Sequence, residues 1–226
     1  MRLIFRNLFL TILFCFSPNF IQAQDEIRYI AVGDSYTIGT GAPDGAAWPT
    51  VLTQELKSRG INIILISNLA VAGKTSAQII HQQLPVFENS RPTFATLLVG
   101  ANDCFNDFDT EVFKQNLKTI LDRMLGALPQ KDKLVVVTIP DFSSSPYGAS
   151  SPRRGEWLKK LKIFNAIIKK EVKDRHLACV DLFPISQKMA TDPQFMSPDG
   201  LHPSAKGYYL WEKLIFPEVF KILNKT

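Results

Sequence analysis

Four short stretches of the 226-residue chain set chemically capable side chains beside turn-forming residues. Ser35 follows Gly33 and Asp34 directly after an apolar run. Asn68 and Gly73 flank an apolar loop, and Asn102 stands in Gly100-Ala101-Asn102-Asp103. Asp199 and His202 are three residues apart within Ser197-Pro198-Asp199-Gly200-Leu201-His202-Pro203. A serine hydroxyl is a weak nucleophile until a base takes its proton and an acid orients that base. Two prolines and a glycine stiffen the last stretch, so Asp199 and His202 can face the same way. Asp199 then orients the ring and stabilises its imidazolium, leaving the second ring nitrogen for Ser35. Attack on a carbonyl also needs preorganised donors for the developing oxyanion, and the Ser35 and Gly73 amides and the Asn102 side chain are suitable donors. Taken singly, each residue has a plainer reading: Ser35 ends a strand, Asn102 caps a turn and Asp199 caps a helix. Only their convergence on one place separates the two readings.

That convergence depends on the elements between them. Residues 27–32, 61–66, 94–99, 134–139 and 177–182 are short runs rich in Val, Ile and Leu, as suits a parallel sheet covered on both faces. Helical patterns fill the gaps at 49–59, 76–84, 110–128 and 156–174, and a last helix at 204–223 is expected to bend near Pro217. Leu117, Ile120, Leu121, Met124, Leu125 and Leu128 form one apolar stripe on the third of these. The alternation predicts an α/β fold, a three-layer α/β/α sandwich on a five-stranded parallel sheet with flavodoxin-like order 2-1-3-4-5. Ligands of such sheets bind beyond the carboxyl ends of the strands, where Ser35, Asn68, Asn102 and the Asp199–His202 segment follow their runs. The Ser- and Pro-rich residues 143–154 read as a mobile surface loop.

The blocks Val32-Gly33-Asp34-Ser35-Tyr36-Thr37, Asn68 to Gly73, Gly100-Ala101-Asn102-Asp103 and Asp199-Gly200-Leu201-His202-Pro203 occur in this order. Together they resemble the four blocks of the GDSL/SGNH hydrolases. The likeness spans nearly all of the chain after residue 23 and extends to Trp48-Pro49 and Gly207-Tyr208. It implies a serine ester hydrolase that works through an acyl-enzyme, with Ser35 as nucleophile and His202 as base. Asp199 is then the partner of His202, and Ser35, Gly73 and Asn102 form the oxyanion hole. It implies no cofactor and no metal. Expected substrates are small-molecule, lipid or acylated-sugar esters; acyl transfer or carbohydrate O-deacetylation by the same residues is the alternative, and a non-catalytic carbohydrate- or lipid-binding module is the reading from another class. One departure stands out: the family's usual Leu after the serine is Tyr36 here, which bears on pocket shape. Phe105, Phe108, Phe142 and Tyr147 either line an apolar acyl pocket or pack under the loops that carry them.

Composition bounds the rest. Apolar residues make up 46% and charged residues 21%, a globular balance that excludes a disordered chain. The net charge is +5, but residues 1–23 contain Arg2 and Arg6 and no acid, so the remainder carries 24 basic against 21 acidic residues. That argues for no nucleic-acid partner, and nothing in the sequence fixes an oligomeric state. Residues 1–23 read as a signal peptide: Arg2 and Arg6, then an apolar run broken only by Thr11, then Pro18 and a small residue, Ala23. The run is shorter than the roughly 20 residues a membrane span needs. The expectation is an exported protein with a single domain over 24–226 and no stable membrane span after cleavage. Cys104 and Cys179 lie too far apart for a disulfide if the strand order is as predicted. His81 and His176 have no paired histidine at metal-ligand spacing. Gly73-Lys74-Thr75 imitates the end of a phosphate-binding loop, but Asn68 occupies the place of its first glycine. Gly39-Thr40-Gly41 is half a dinucleotide fingerprint with Asp44 where the third glycine belongs. Thr37 breaks the Gly-x-Ser-x-Gly pattern of the other large esterase fold.

Overall fold

The computed structural model describes residues 25–224; the expected leader lies outside the described residues. Five parallel strands, β1 (Ile27–Gly33), β2 (Ile63–Asn68), β3 (Phe94–Leu98), β4 (Leu134–Val137) and β5 (Ala178–Val180), form one sheet in the order β2-β1-β3-β4-β5. The helices are α1 (Ser35–Ile38), α2 (Trp48–Ser58), α3 (Ser76–Gln82), α4 (Leu84–Asn89), α5 (Ala101–Phe105), α6 (Thr110–Ala127), α7 (Pro146–Ser150), α8 (Arg154–Asp174), α9 (Phe183–Met189) and α10 (Ala205–Leu223). α2 and α10 pack on each other, while α3, α4, α6 and α8 pack together as a separate layer. This is the α/β/α sandwich expected of the sequence. The centre of the sheet is wholly buried along β3 and β4, and the α6 stripe contributes Leu117, Ile120, Leu121 and Met124 to the core.

β2 starts two residues later than its apolar run. Gly60 takes a left-handed φ of 83° after α2, and the Ile61 N–H donates to the Leu56 carbonyl at 3.1 Å. This closes a Schellman turn, so Ile61 serves the helix end. The Ser- and Pro-rich stretch also differs from expectation. It is an ordered part of the domain, with a 3-10 turn at Phe142–Ser144 followed by α7, and with Ser143, Ser145 and Gly148 buried. The reason is Asp141, a buried carboxylate that accepts from the Ser143 N–H at 3.1 Å, the Ser144 hydroxyl at 2.7 Å and Gln187 Nε2 at 2.8 Å, and also from the Ser143 hydroxyl. Serines that read as solvated loop are ligands of an internal charge. α10 contains Pro217 well inside it rather than at an end.

Two buried amides finish strands at the end where the chemistry gathers. Gln83 accepts from the Gly33 N–H at 3.1 Å and donates to the Gly33 carbonyl at 2.8 Å. Asn165 does the same for Ile139 just past β4, both bonds at 2.8 Å. Backbone groups leaving the sheet thus stay paired, and the chain is free to turn into Ser35.

Candidate active site

Gly33 has to be glycine. A Cβ there would collide with Thr37 Oγ1 and would stand 2.7 Å from the Leu98 carbonyl. The chain then turns at Asp34, whose side chain caps α1 by accepting from the Tyr36 N–H at 3.0 Å. Ser35 is the first residue of that four-residue helix and is almost buried. After α1, Gly39 is left-handed, and the Gly39 and Thr40 amides both donate to the Ser35 carbonyl. The serine is thereby held from both sides of a very tight turn.

The Asp199–His202 segment is closed on itself. Met196 and Pro203 form an isolated antiparallel bridge, and the Ser197 N–H donates to the His202 carbonyl at 2.8 Å. Asp199 Oδ1 accepts from the Ser197 hydroxyl at 2.7 Å, the Leu201 N–H at 2.8 Å and the His202 N–H at 2.9 Å. Its Oδ2 lies 2.7 Å from His202 Nδ1. Burial works to raise the Asp199 pKa, but the His202 N–H and ring, the Ser197 hydroxyl and the Leu201 N–H outweigh it and hold the carboxyl well below the usual carboxylate range. A permanent anion against Nδ1 favours the tautomer with its proton there, which leaves Nε2 as an acceptor.

A seam joins the serine turn to this segment. Tyr208 on α10 donates from its hydroxyl to the Thr40 carbonyl at 2.8 Å. Gly41, at φ 93°, lies so close that a Cβ would be 2.7 Å from Ser197 Oγ and 2.9 Å from the Pro203 carbonyl. The Tyr36 ring is buried between His202, 5.2 Å away, and Trp211, 5.7 Å away. It packs beside the imidazole.

Asn102 is the second residue of α5, after the left-handed Gly100. Its Nδ2 donates to the Lys74 carbonyl at 3.1 Å and, more weakly, to Asp34 Oδ2 at 3.4 Å. Asp103 beside it is buried and accepts from the Ser76 N–H at 2.8 Å and from the Ser76 hydroxyl, so α5 is tied to the start of α3. Asn68 Nδ2 donates to the Thr37 carbonyl at 2.9 Å, fixing the end of β2 to α1. Burial, opposed by the Tyr36 N–H and reinforced by nearby Asp103, raises the pKa of Asp34 to about 7. Asp34 and Asp103 are the residues that reading the sequence left without a task. Both stood in the quoted blocks, but only their burial shows that they brace the donors around them.

Ser35, Asn102 and His202 line one solvent-open cavity of about 260 Å³, together with Tyr36, Ala101, Phe105, Phe142 and Leu201. Gly73 does not line it; it occupies an exposed turn at φ 80°, next to the Lys74 whose carbonyl Asn102 engages. Of the four aromatics that either line the pocket or pack under the loops, Phe105 and Phe142 line it, while Tyr147 stacks on Trp157 and Phe108 lies outside. Cys104 is buried, with its thiol pushed up to about 12 by burial, and Cys179 to about 11. Both are free thiols whose burial disfavours the thiolate. Among the described residues no three His, Cys, Asp or Glu side chains gather as metal ligands, and no helix is long and apolar enough to cross a membrane.

A parallel α/β/α sandwich whose strand ends gather a serine, an asparagine and a carboxylate-bound histidine around one cavity is the framework of an ester hydrolase. The chain belongs to the GDSL-like lipase/acylhydrolase family, the SGNH esterases, whose family model matches residues 31–210. It is 23% identical to an arylesterase of Vibrio mimicus over 219 residues, 96% of this chain and 99% of that protein. It is 25% identical over 175 residues to thioesterase 1/protease 1/lysophospholipase L1 of Escherichia coli K12, covering 77% and 74% of the two chains. Among solved structures, a family 3 carbohydrate esterase of Clostridium thermocellum shares the fold with a TM-score of 0.71 at 21% identity, over 88% of this chain and 98% of that one.

Proposed function

We propose that this esterase cleaves carboxylic esters through an acyl-enzyme formed on Ser35. His202 Nε2 takes the Ser35 proton as Oγ bonds to the ester carbonyl carbon. The carbonyl oxygen becomes an oxyanion that accepts from the Ser35 amide and the Asn102 side chain; the Gly73 amide, expected as a third donor, stands outside the cavity lining. The C–O bond to the alcohol then breaks, and the alcohol leaves with the proton that His202 returns. Water repeats the sequence on the acyl-Ser35 ester, its proton going to His202 and then to Ser35 Oγ as the acid departs. Asp199 stays ionised throughout, keeps the imidazole oriented and stabilises its cation. Asn102 already uses its amide hydrogens on Lys74 and Asp34; the 3.4 Å bond is the weaker, and it is the one the oxyanion displaces.

The observation that carries this reading is that Ser35 and His202 share a cavity wall while Asp199 occupies the far side of the imidazole at 2.7 Å. Residues 1–23 act in this proposal as an export signal, leaving a single-domain enzyme outside the cytoplasm. The test is labelling with a small fluorophosphonate. Wild type should be labelled at Ser35 and should hydrolyse p-nitrophenyl acetate; Ser35→Ala should do neither while melting at the same temperature. A Ser35→Ala protein that keeps its hydrolysis would remove Ser35 from the mechanism. Release of acyl-alcohol rather than acid, when an alcohol acceptor is added in excess, would make the enzyme an acyltransferase.

A further inference from the structure

Against the cavity beside Ser35 lies a second, narrow apolar one. The two share three side chains, Tyr36, Phe142 and Leu201. The farther cavity is lined chiefly by apolar groups, among them Pro140, Met189, Met196 and Trp211. Asp141 also borders it, but its carboxylate is taken up by Ser143, Ser144 and Gln187. We propose that Tyr36, Phe142 and Leu201 form a partition that restricts the acyl group to a short one, acetyl to butyryl, and closes off an apolar chamber that would otherwise take a longer chain. The inference deepens the proposed function and rests on Ser35 being its nucleophile.

Each member of the partition is tied to its surroundings. Phe142 is buried at the start of the 3-10 turn that Asp141 organises, and the Asp141 N–H is itself anchored on Ser186 Oγ at 2.7 Å. The edge of the Trp157 indole meets the Phe142 ring at 5.5 Å. Leu201 is fixed through its N–H to Asp199, and the preceding Gly200 carbonyl accepts from the Tyr147 N–H at 2.9 Å. Tyr36 is wedged between two rings. Side chains packed this way do not move aside without disturbing the groups that hold His202 and Phe142. A chain longer than the space before the partition has to leave its end in water or force the wall. Tyr36 contributes its ring to that wall.

The experiment measures kcat/KM for p-nitrophenyl acetate, butyrate, hexanoate and octanoate with the full enzyme, wild type and Leu201→Ala. Each methylene that finds or loses a pocket is worth about tenfold or more. Wild type should therefore fall by roughly tenfold or more from butyrate to octanoate, and Leu201→Ala should raise the octanoate-to-acetate ratio by a similar factor. The ratio is the readout because Leu201 sits between Asp199 and His202, and a general loss of turnover cancels in it. Phe142→Ala removes the same partition from the other side and should raise the same ratio. Equal wild-type rates on octanoate and acetate would overturn the proposal, as would a ratio that neither variant moves. With Ser35 labelled and acetate hydrolysed, those outcomes remove the partition alone. If Ser35 stays unlabelled and no ester is cleaved, the reading of the site falls and the partition falls with it.

Discussion

Replacing Asp34 with Asn removes one buried charge at nearly constant volume. In the folded protein Asp34 keeps its proton up to about pH 7, while its ordinary value is 3.8. Between those values the native state binds more protons than the unfolded chain, so stability falls as pH rises from about 4 to 7 and is level above. The span is about three pH units at 1.36 kcal/mol each, or about 4 kcal/mol lost by pH 8. Asn does not titrate. It can serve the Tyr36 N–H or meet Asn102, but not both as the carboxylate does, and that costs about 1 kcal/mol at every pH. The difference in unfolding free energy between Asp34→Asn and wild type should therefore move by about 4 kcal/mol in the variant's favour between pH 4 and pH 8. Urea unfolding at half-unit pH steps, with unchanged m-values, measures it. Asp103, whose pKa burial also raises, slopes the same way in both proteins, so the difference reports Asp34 together with its repulsion by Asp103. A difference that stays flat to within about 1 kcal/mol would refute a buried, protonated Asp34.

Asn102→Ala should lower kcat by roughly 10²–10³-fold with little change in KM, the usual loss of one oxyanion donor; an effect on KM alone would make Asn102 a substrate-binding residue. Asp199→Asn should reduce kcat by roughly 10³–10⁴-fold, because the imidazole loses its orienting anion. The same variant has a signature in acid. A carboxyl held below its ordinary range stabilises the fold above about pH 4, and that contribution disappears as pH falls. Wild type should thus lose stability below about pH 4 more steeply than Asp199→Asn, in urea titrations from pH 5 to pH 2.5. Equal slopes would mean that Asp199 is not anchored as its four hydrogen bonds imply.

The sheet was legible in the sequence because the parallel strands are near-continuous apolar runs, and four of the five runs lie where the strands are. The exception, β2, shows the limit of that signal: Ile61 is apolar whether it packs in a strand or finishes a helix, and only Gly60 before it tells which. Long helices announced themselves by their stripes. α1, α5 and α7 did not, since four or five residues contain no periodicity. The candidate site was legible as types and spacing, and the cavity brings Ser35, Asn102 and His202 together. What remained hidden was support. Asp141 looks like one more polar residue in a serine-rich loop until burial turns its neighbours into its hydrogen-bond donors. The partition was hidden for a related reason, since Leu201 is an unremarkable aliphatic residue whose neighbours across the cavity come from distant parts of the chain.

The seam at Thr40 and Gly41 has a consequence for synthesis. β1 and α1 are among the first parts of the domain to be made, whereas the Asp199–His202 segment and the Tyr208 that clamps Thr40 belong to its last stretch. A chain halted before residue 197 carries all five strands and Ser35, but neither Asp199 nor His202. Under the proposed mechanism hydrolysis begins only once the Asp199–His202 segment has docked on the serine turn, and a truncation that removes α10 takes away the Tyr208 clamp on Thr40. Under that mechanism, turnover reports that the Asp199–His202 segment is in place.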